Sequence, residues 1–325
     1  MHRSLQQALL HKLDQDFGRR QMAFERAMKL VRAVFPRQSP YRAPVNDLWP
    51  VYAKYLPHVL SLCKTYSTFQ KPFKPLLRFA ELLSDAGNYM WERGLLKDAF
   101  EMLATAELIC DQALDPDDPN PIRSSVLAVT ASFELNQSGS LRQSGLAHKE
   151  RVLDLRTKYM TSKPEAEINK FDGLLLGSAY NNLACAYMQC EDFERAETAL
   201  LRSLEIKMQW SSEADTPFPF AEGYKNMGLV RLSQGRTEEA LRLVKRASEM
   251  MVAWKGARTK SAQFFQFIWA MVLANCGDRQ GALARHFEIL QVQREILGEL
   301  AIQTLDSYFA IGALHHGLGQ LEEAE

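Results

Sequence analysis

The chain has 325 residues, 46% of them hydrophobic, and its 39 basic and 39 acidic side chains cancel to zero net charge. That balance excludes the global field by which a protein is drawn to DNA, RNA or an anionic membrane. No apolar run near the N-terminus is long enough for a signal peptide, and the most apolar stretch, residues 264–276, is broken by Gln266 and too short to span a bilayer.

The first 75 residues read as a helical connector. It opens on MHRSLQQALLHKL and continues through Arg19–Arg37, where Arg19, Arg20, Arg26, Lys29, Arg32 and Arg37 against Glu25 give a local charge of +5. Phe24, Ala27, Met28, Val31, Val34 and Phe35 form an apolar stripe at helical spacing on the same segment. A basic amphipathic helix can meet a membrane, calmodulin or an acidic domain. The expectation is the plainer one, that the stripe docks on the N-terminal remnant within the connector or on the first repeats while the charges face water. Prolines punctuate the rest of the connector, at Pro36, Pro40 and Pro44 and again at Pro72 and Pro75.

From about residue 76 to 325 the chain repeats itself. Ala196, Ala240, Ala282 and Ala324 are separated by 44, 42 and 42 residues, and each follows a small residue, Ala184, Gly228, Ala270 or Gly312, by twelve. Gly87 and Ala99 form the same pair upstream. Small residues at this spacing suit two antiparallel helices whose backbones approach closely, and a period near 42 means stacked helical units. With the first small residue as repeat position 8 and the second as position 20, position 15 is Gly94, Gly235, Gly277 or Gly319, where the chain must reverse, and only Glu191 departs. Position 24 is aliphatic at Leu103, Leu200 and Val244, with His286 the exception. Between Ala99 and Ala196 there is room for one more unit, with helices at residues 122–135 and 141–160 and an insertion around residues 136–145. No clean small-residue pair marks that unit, so it reads as a degenerate repeat. The last repeat stops near position 21, so it is read as truncated.

The same residues hold little that points to catalysis. No phosphate-binding glycine loop is present, so the chain is not expected to bind or hydrolyse ATP, and no cofactor is expected. Cys185 and Cys190 lie five apart, without the spacing or partners of a zinc site. His315 and His316 are adjacent and point about 100° apart on a helix. Five irregularly placed cysteines read as thiols of a reducing compartment, so the expected location is cytoplasmic. The chain is not expected to be an enzyme.

The pattern of small residues at positions 8 and 20 and aliphatic residues at 7 and 24 resembles the tetratricopeptide repeat, in the longer-helix form found in kinesin light chains and in sensor proteins of nucleotide-binding, signal-transducing ATPases. The resemblance implies an all-α, right-handed superhelical α-solenoid preceded by the connector. Its inner, concave face would be lined by the first helix of each repeat. On it Asn182 and Asn226 share position 6, and Asn181, Met188, Lys225 and Leu229 stand in nearby inward slots. A ladder of amides could clasp a peptide main chain, or could bridge neighbouring helices. The family's clamp for a C-terminal carboxylate, a lysine–asparagine pair and then a lysine–arginine pair, is not made, because the corresponding slots hold Asn181 and Cys185, then Phe264 and Ile268.

The segments MHRSLQQALLHKL, VRAVFPRQSP, NDLWPVYAKYLPHVLSL, ELLSDAGNYMWERG and LDPDDPNPI are together similar to the C-terminal part of fungal NB-ARC–tetratricopeptide receptors. In that family an ATPase domain, a winged helix and a helical connector precede the repeats. The resemblance therefore implies a winged-helix remnant within residues 1–75, and an upstream ATPase domain as a partner if the chain is part of a longer one. Met1-His2-Arg3 falls where the family carries a motif whose histidine senses nucleotide. Arg3 replaces its acidic residue, so His2 reads as a remnant. The implied function is protein recognition by the sensing arm of an intracellular receptor. Two alternatives stay open: a free-standing adaptor similar to kinesin light chain repeats, or a vestigial receptor fragment.

Overall fold

The computed structural model describes Lys12 and residues 16–39, 41–68 and 73–324. Among the described residues there are fourteen α-helices and no strand. They divide into two compact units. One holds the described residues up to Ser39 together with Asp47–Lys163, the other those of Pro40–Asn46 and Pro164–Glu325.

The first unit contains α1 (Phe17–Val34), α2 (Trp49–Thr68), α3 (Leu77–Arg93), α4 (Ala99–Ala113), α5 (Pro121–Leu135) and α6 (Ser140–Ser162). Asp16 caps α1 by accepting from the Arg19 amide. The apolar stripe of α1 docks as its spacing leads one to expect. The ring of Phe24 meets Tyr66 of α2, Phe73 and Phe79 of α3, all with centroids within 5.7 Å. Phe35 packs edge-on against Tyr52, which stacks on Tyr89 at 5.0 Å. Not every basic residue faces water, however. Arg32 is half-buried, with its side chain 9% exposed, and pairs with the buried Asp85 of α3 at 2.7 Å, while its other terminal nitrogen donates to the carbonyls of Phe35 and Pro36. A largely desolvated charge needs partners of this kind, although the Arg32 Nε is left without one. Arg26 and Lys29 remain exposed.

The close approach in α3/α4 is measurable. A Cβ on Gly87 would sit 2.9 Å from Leu103 Cδ2 and 3.2 Å from Val129 Cγ1, so only a hydrogen fits there. The irregular unit is a true helical pair, α5/α6, and it has its own small residues. Ala131 follows Gly87 by 44 residues, on the regular beat, and is fully buried. Its partner is Gly145, whose Cβ would lie 2.8 Å from Leu135 Cγ and 3.1 Å from the Ala131 carbonyl. The two are fourteen apart rather than twelve. Polar side chains also tie this pair: His148 of α6 bonds Glu134 of α5 at 2.7 Å, and Lys149 donates to the Ala128 carbonyl.

The second unit stacks α7 (Lys170–Gln189), α8 (Phe193–Trp210), α9 (Pro217–Ser233), α10 (Thr237–Lys255), α11 (Lys260–Asn275), α12 (Arg279–Leu297), α13 (Ile302–Gly317) and the short α14 (Leu321–Ala324). Each pair packs on itself, and α9, α11 and α13 each also touch both helices of the pair before them. Ala184, Ala196, Ala240, Ala270 and Ala282 are all fully buried at the crossings. Helix starts are set by side-chain caps: Asn169 and Asp172 form a capping box on α7, while Asp192, Thr259 and Asp278 cap α8, α11 and α12. The turn at Glu191 adopts φ +59°, the left-handed conformation its counterparts reach with glycine. The one departure from the glycine pattern therefore changes the residue and not the turn.

Candidate functional site

The candidate surface is the face made by the first helices α7, α9, α11 and α13. The register places repeat positions 2, 5, 9 and 12 of each on one side, since these spacings follow the helical period. Positional neighbours on α7 and α9 are joined directly. Asn226 Nδ2 donates to Asn181 Oδ1 at 3.1 Å and to Cys185 Sγ at 3.2 Å. Both Asn181 and Asn226 are buried, whereas Asn182 is half-buried. The structure thus brings together Asn181 and Asn226, not Asn182 and Asn226. The reason is stagger: a position-6 amide on one first helix reaches toward positions 5 and 9 of the preceding one.

Lys225 is buried one residue before Asn226. Its amine bonds Glu222 at 2.9 Å, one turn earlier on α9, and lies 5.1 Å and 5.4 Å from the ring centroids of Phe264 and Phe265 on α11. Two aromatic faces and one carboxylate surround a single positive charge, a favourable desolvated arrangement. Met188 and Leu229 are half-buried, and Leu229 packs on the cluster of Ala240, Val244 and Val272. His2 lies outside the described residues.

Beneath this face sits a residue that the repeat pattern does not reveal. Lys207 of α8 is completely buried, with its amine donating to the Pro219 carbonyl at 2.9 Å. Gly177 makes room for its stem, whereas the close contact of Gly223 is with Leu204. A Cβ on Gly177 would come within 2.9 Å of Lys207 Cγ, and one on Gly223 within 3.8 Å of Nζ. Loss of hydration pulls the Lys207 pKa down to about 8, against a smaller opposing pull from the charges of Glu222 and Cys185. The only sequence sign of this is Gly177 on the preceding first helix, outside the position-8 pattern.

The other residues of this face that spacing misses as candidates are aromatic. Phe264, at position 2 of α11, is 44% exposed, and Phe309, at position 5 of α13, is 79% exposed. Among the described residues no group of three or more His, Cys, Asp or Glu side chains is arranged to hold a metal, and no helix is long and apolar enough to cross a membrane.

A tetratricopeptide-repeat family model matches residues 176–207, which run from within α7 through most of α8 and include Asn181, Asn182 and Met188. No curated protein sequence matches the chain. Among solved structures, it is similar to a Signal Transduction ATPase with Numerous Domains protein with a tetratricopeptide repeat sensor from Pyrococcus horikoshii. That likeness has a TM-score of 0.52 and 13% identity, over 97% of this chain and 44% of that one. BtubC (BKLC) from P. vanneervenii aligns with a TM-score of 0.49 and 16% identity, over 87% of this chain and 93% of that one. The nearly identical TPR-like repeats of a Podosopora anserina putative kinesin light chain align with a TM-score of 0.45 and 17% identity, over 66% and 95%. With the helical pairs and their register, the repeat match and the first of these likenesses make the fold an all-α solenoid of tetratricopeptide repeats.

Proposed function

We propose that the chain is a protein-recognition scaffold whose partner docks on the first-helix face of the second unit. One observation carries this reading. Successive first helices place half-exposed side chains such as Cys185, Met188, Glu222 and Leu229 in equivalent slots, continuing to exposed Phe264 and Phe309. A surface of that kind is fitted to contact a chain laid across several repeats.

In the wider reading the chain is the sensing arm of a cytosolic receptor, with a nucleotide-binding ATPase domain upstream and no ATPase of its own. The sequence resemblance of the connector segments supports it. The Pyrococcus protein, which shares the fold, carries its repeats as a sensor in such an ATPase. A partner that binds one receptor state more tightly than the other would shift the balance between them.

The test is selection of displayed peptides against the whole chain, followed by hydrogen exchange on the complexes. New protection in α7, α9 and α11 is the expected result. Protection confined to α8, α10 and α12 would remove the proposed face.

A further inference from the structure

We propose that the first-helix face of the second unit takes an uncharged peptide segment through apolar, chiefly aromatic and branched aliphatic, side chains, which seat against Phe264 and Phe309. This rests on the reading of that face as the docking surface and adds the chemistry of what docks there.

Charge is the first argument. Among positions 2, 5, 9 and 12 of α7, α9, α11 and α13, Lys225 is the only lysine or arginine. Its amine is already committed to Glu222 at 2.9 Å and covered by the rings of Phe264 and Phe265. Lys207, the next amine below, is fully buried and turned to the Pro219 carbonyl. No lysine or arginine at these positions is left to receive a partner's carboxylate, and drawing Lys225 away from Glu222 would strand a buried charge. An acidic segment therefore finds no complement here.

Polarity along the stack is the second. Position 5 reads Asn181, Lys225, Phe267, Phe309, and position 9 reads Cys185, Leu229, Met271, Ala313. At these two positions the face passes from amides and an ion pair at α7 and α9 to aromatic and thioether groups at α11 and α13, while positions 2 and 12 of α13 hold Asp306 and His316. Phe264 stays 44% exposed although it covers Lys225, and Phe309 is 79% exposed. Large rings left in water on a face whose ion pair is internally neutral gain most from covering by apolar groups. Binding driven this way depends little on salt, because the groups being covered are apolar and the one charge at these positions outside the Glu222–Lys225 pair, apart from His316, is the carboxylate of Asp306 on α13.

The experiment uses the full chain and two sets of labelled synthetic peptides of equal length, followed by fluorescence anisotropy. One set is neutral and rich in Phe, Leu and Ile; the other is rich in Asp and Glu with a free C-terminus. The neutral set is expected to bind, with less than about a twofold change in Kd between roughly 50 and 500 mM salt. Phe264→Ser with Phe309→Ser is expected to weaken it by about tenfold or more. Leu201→Ser, at an exposed site on α8, serves as the control and leaves it unchanged. Circular dichroism confirms that each variant is folded. Salt-sensitive binding of the acidic set, lost in Lys225→Met, would keep the face and overturn its apolar chemistry. Binding lost in Leu201→Ser but not in the double phenylalanine variant would overturn the face itself. Failure of both sets to bind overturns the inference.

Discussion

His286 shows how one side chain can work against its own repeat. It occupies position 24, aliphatic elsewhere, and is 1% exposed on α12 with its ring 5.0 Å from Phe267. Its Nδ1 has no hydrogen-bond partner, and burial alone pulls its pKa down to about 4. The folded state holds the neutral ring while the unfolded chain protonates near 6.5, so between those values unfolding takes up a proton. Stability is therefore whole above about pH 6.5 and declines as pH falls toward 4. His286→Leu is expected to stabilise the protein by about 2 kcal/mol at pH 5 and to matter far less to the pH dependence above 7. Urea unfolding at the two pH values measures it. An unchanged pH slope in the variant would mean that His286 is hydrated or paired in solution.

Between elements, two sets of contacts decide how the helices hold together. Asn226 ties α9 to α7 through Asn181, both buried, while Asn182 stands half-buried beside them. Asn226→Ala leaves the Asn181 carbonyl oxygen without its donor and is expected to cost about 1–3 kcal/mol, against a few tenths for Asn182→Ala. Equal losses in urea unfolding would contradict the bridge. The α9/α10 crossing is tighter still. A Cβ on Gly228 would lie 2.6 Å from Val244 Cγ1 and 3.1 Å from the Ala240 carbonyl, one contact to a side chain and one to backbone. Even Gly228→Ala must push the helices apart, at a cost of about 1–3 kcal/mol despite the better helix propensity of alanine. A thermal midpoint at or above the parent value would show that the register is misassigned. The turns are less demanding, since Glu191 does without glycine what Gly235 does with it.

Across the second unit, stability should be uneven. Phe220, Ala221, Tyr224, Ala247, Met251 and Phe265 form a closed core around α9–α11. By contrast Ile302, Leu305 and Phe309 on α13 are 62%, 48% and 79% exposed, and α14 has no buried residue. Local opening is easiest where few apolar contacts are lost, so α13 and α14 are expected to exchange their amides orders of magnitude faster than α9. Hydrogen exchange resolved by helix reads this directly. Equal protection of α13 and α9 would mean that the exposed stripe is covered in solution.

Much of this architecture can be read from spacing alone. A twelve-residue interval between small residues, a glycine at position 15 and amphipathic flanks specify helical pairs, because close backbone approach and a left-handed turn admit few side chains. The same rule applied too strictly conceals the α5/α6 pair, whose Ala131 and Gly145 are fourteen apart. Spacing also identifies which helix face carries Asn182, Lys225 and Asn226. It does not show which amide is covered, that Lys207 reaches inward beside Gly177, or that Phe264 lies over Lys225. Those outcomes depend on the stagger between neighbouring pairs. Register determines where a side chain leaves its own helix, whereas burial and partnership are decided by what the next helix brings against it.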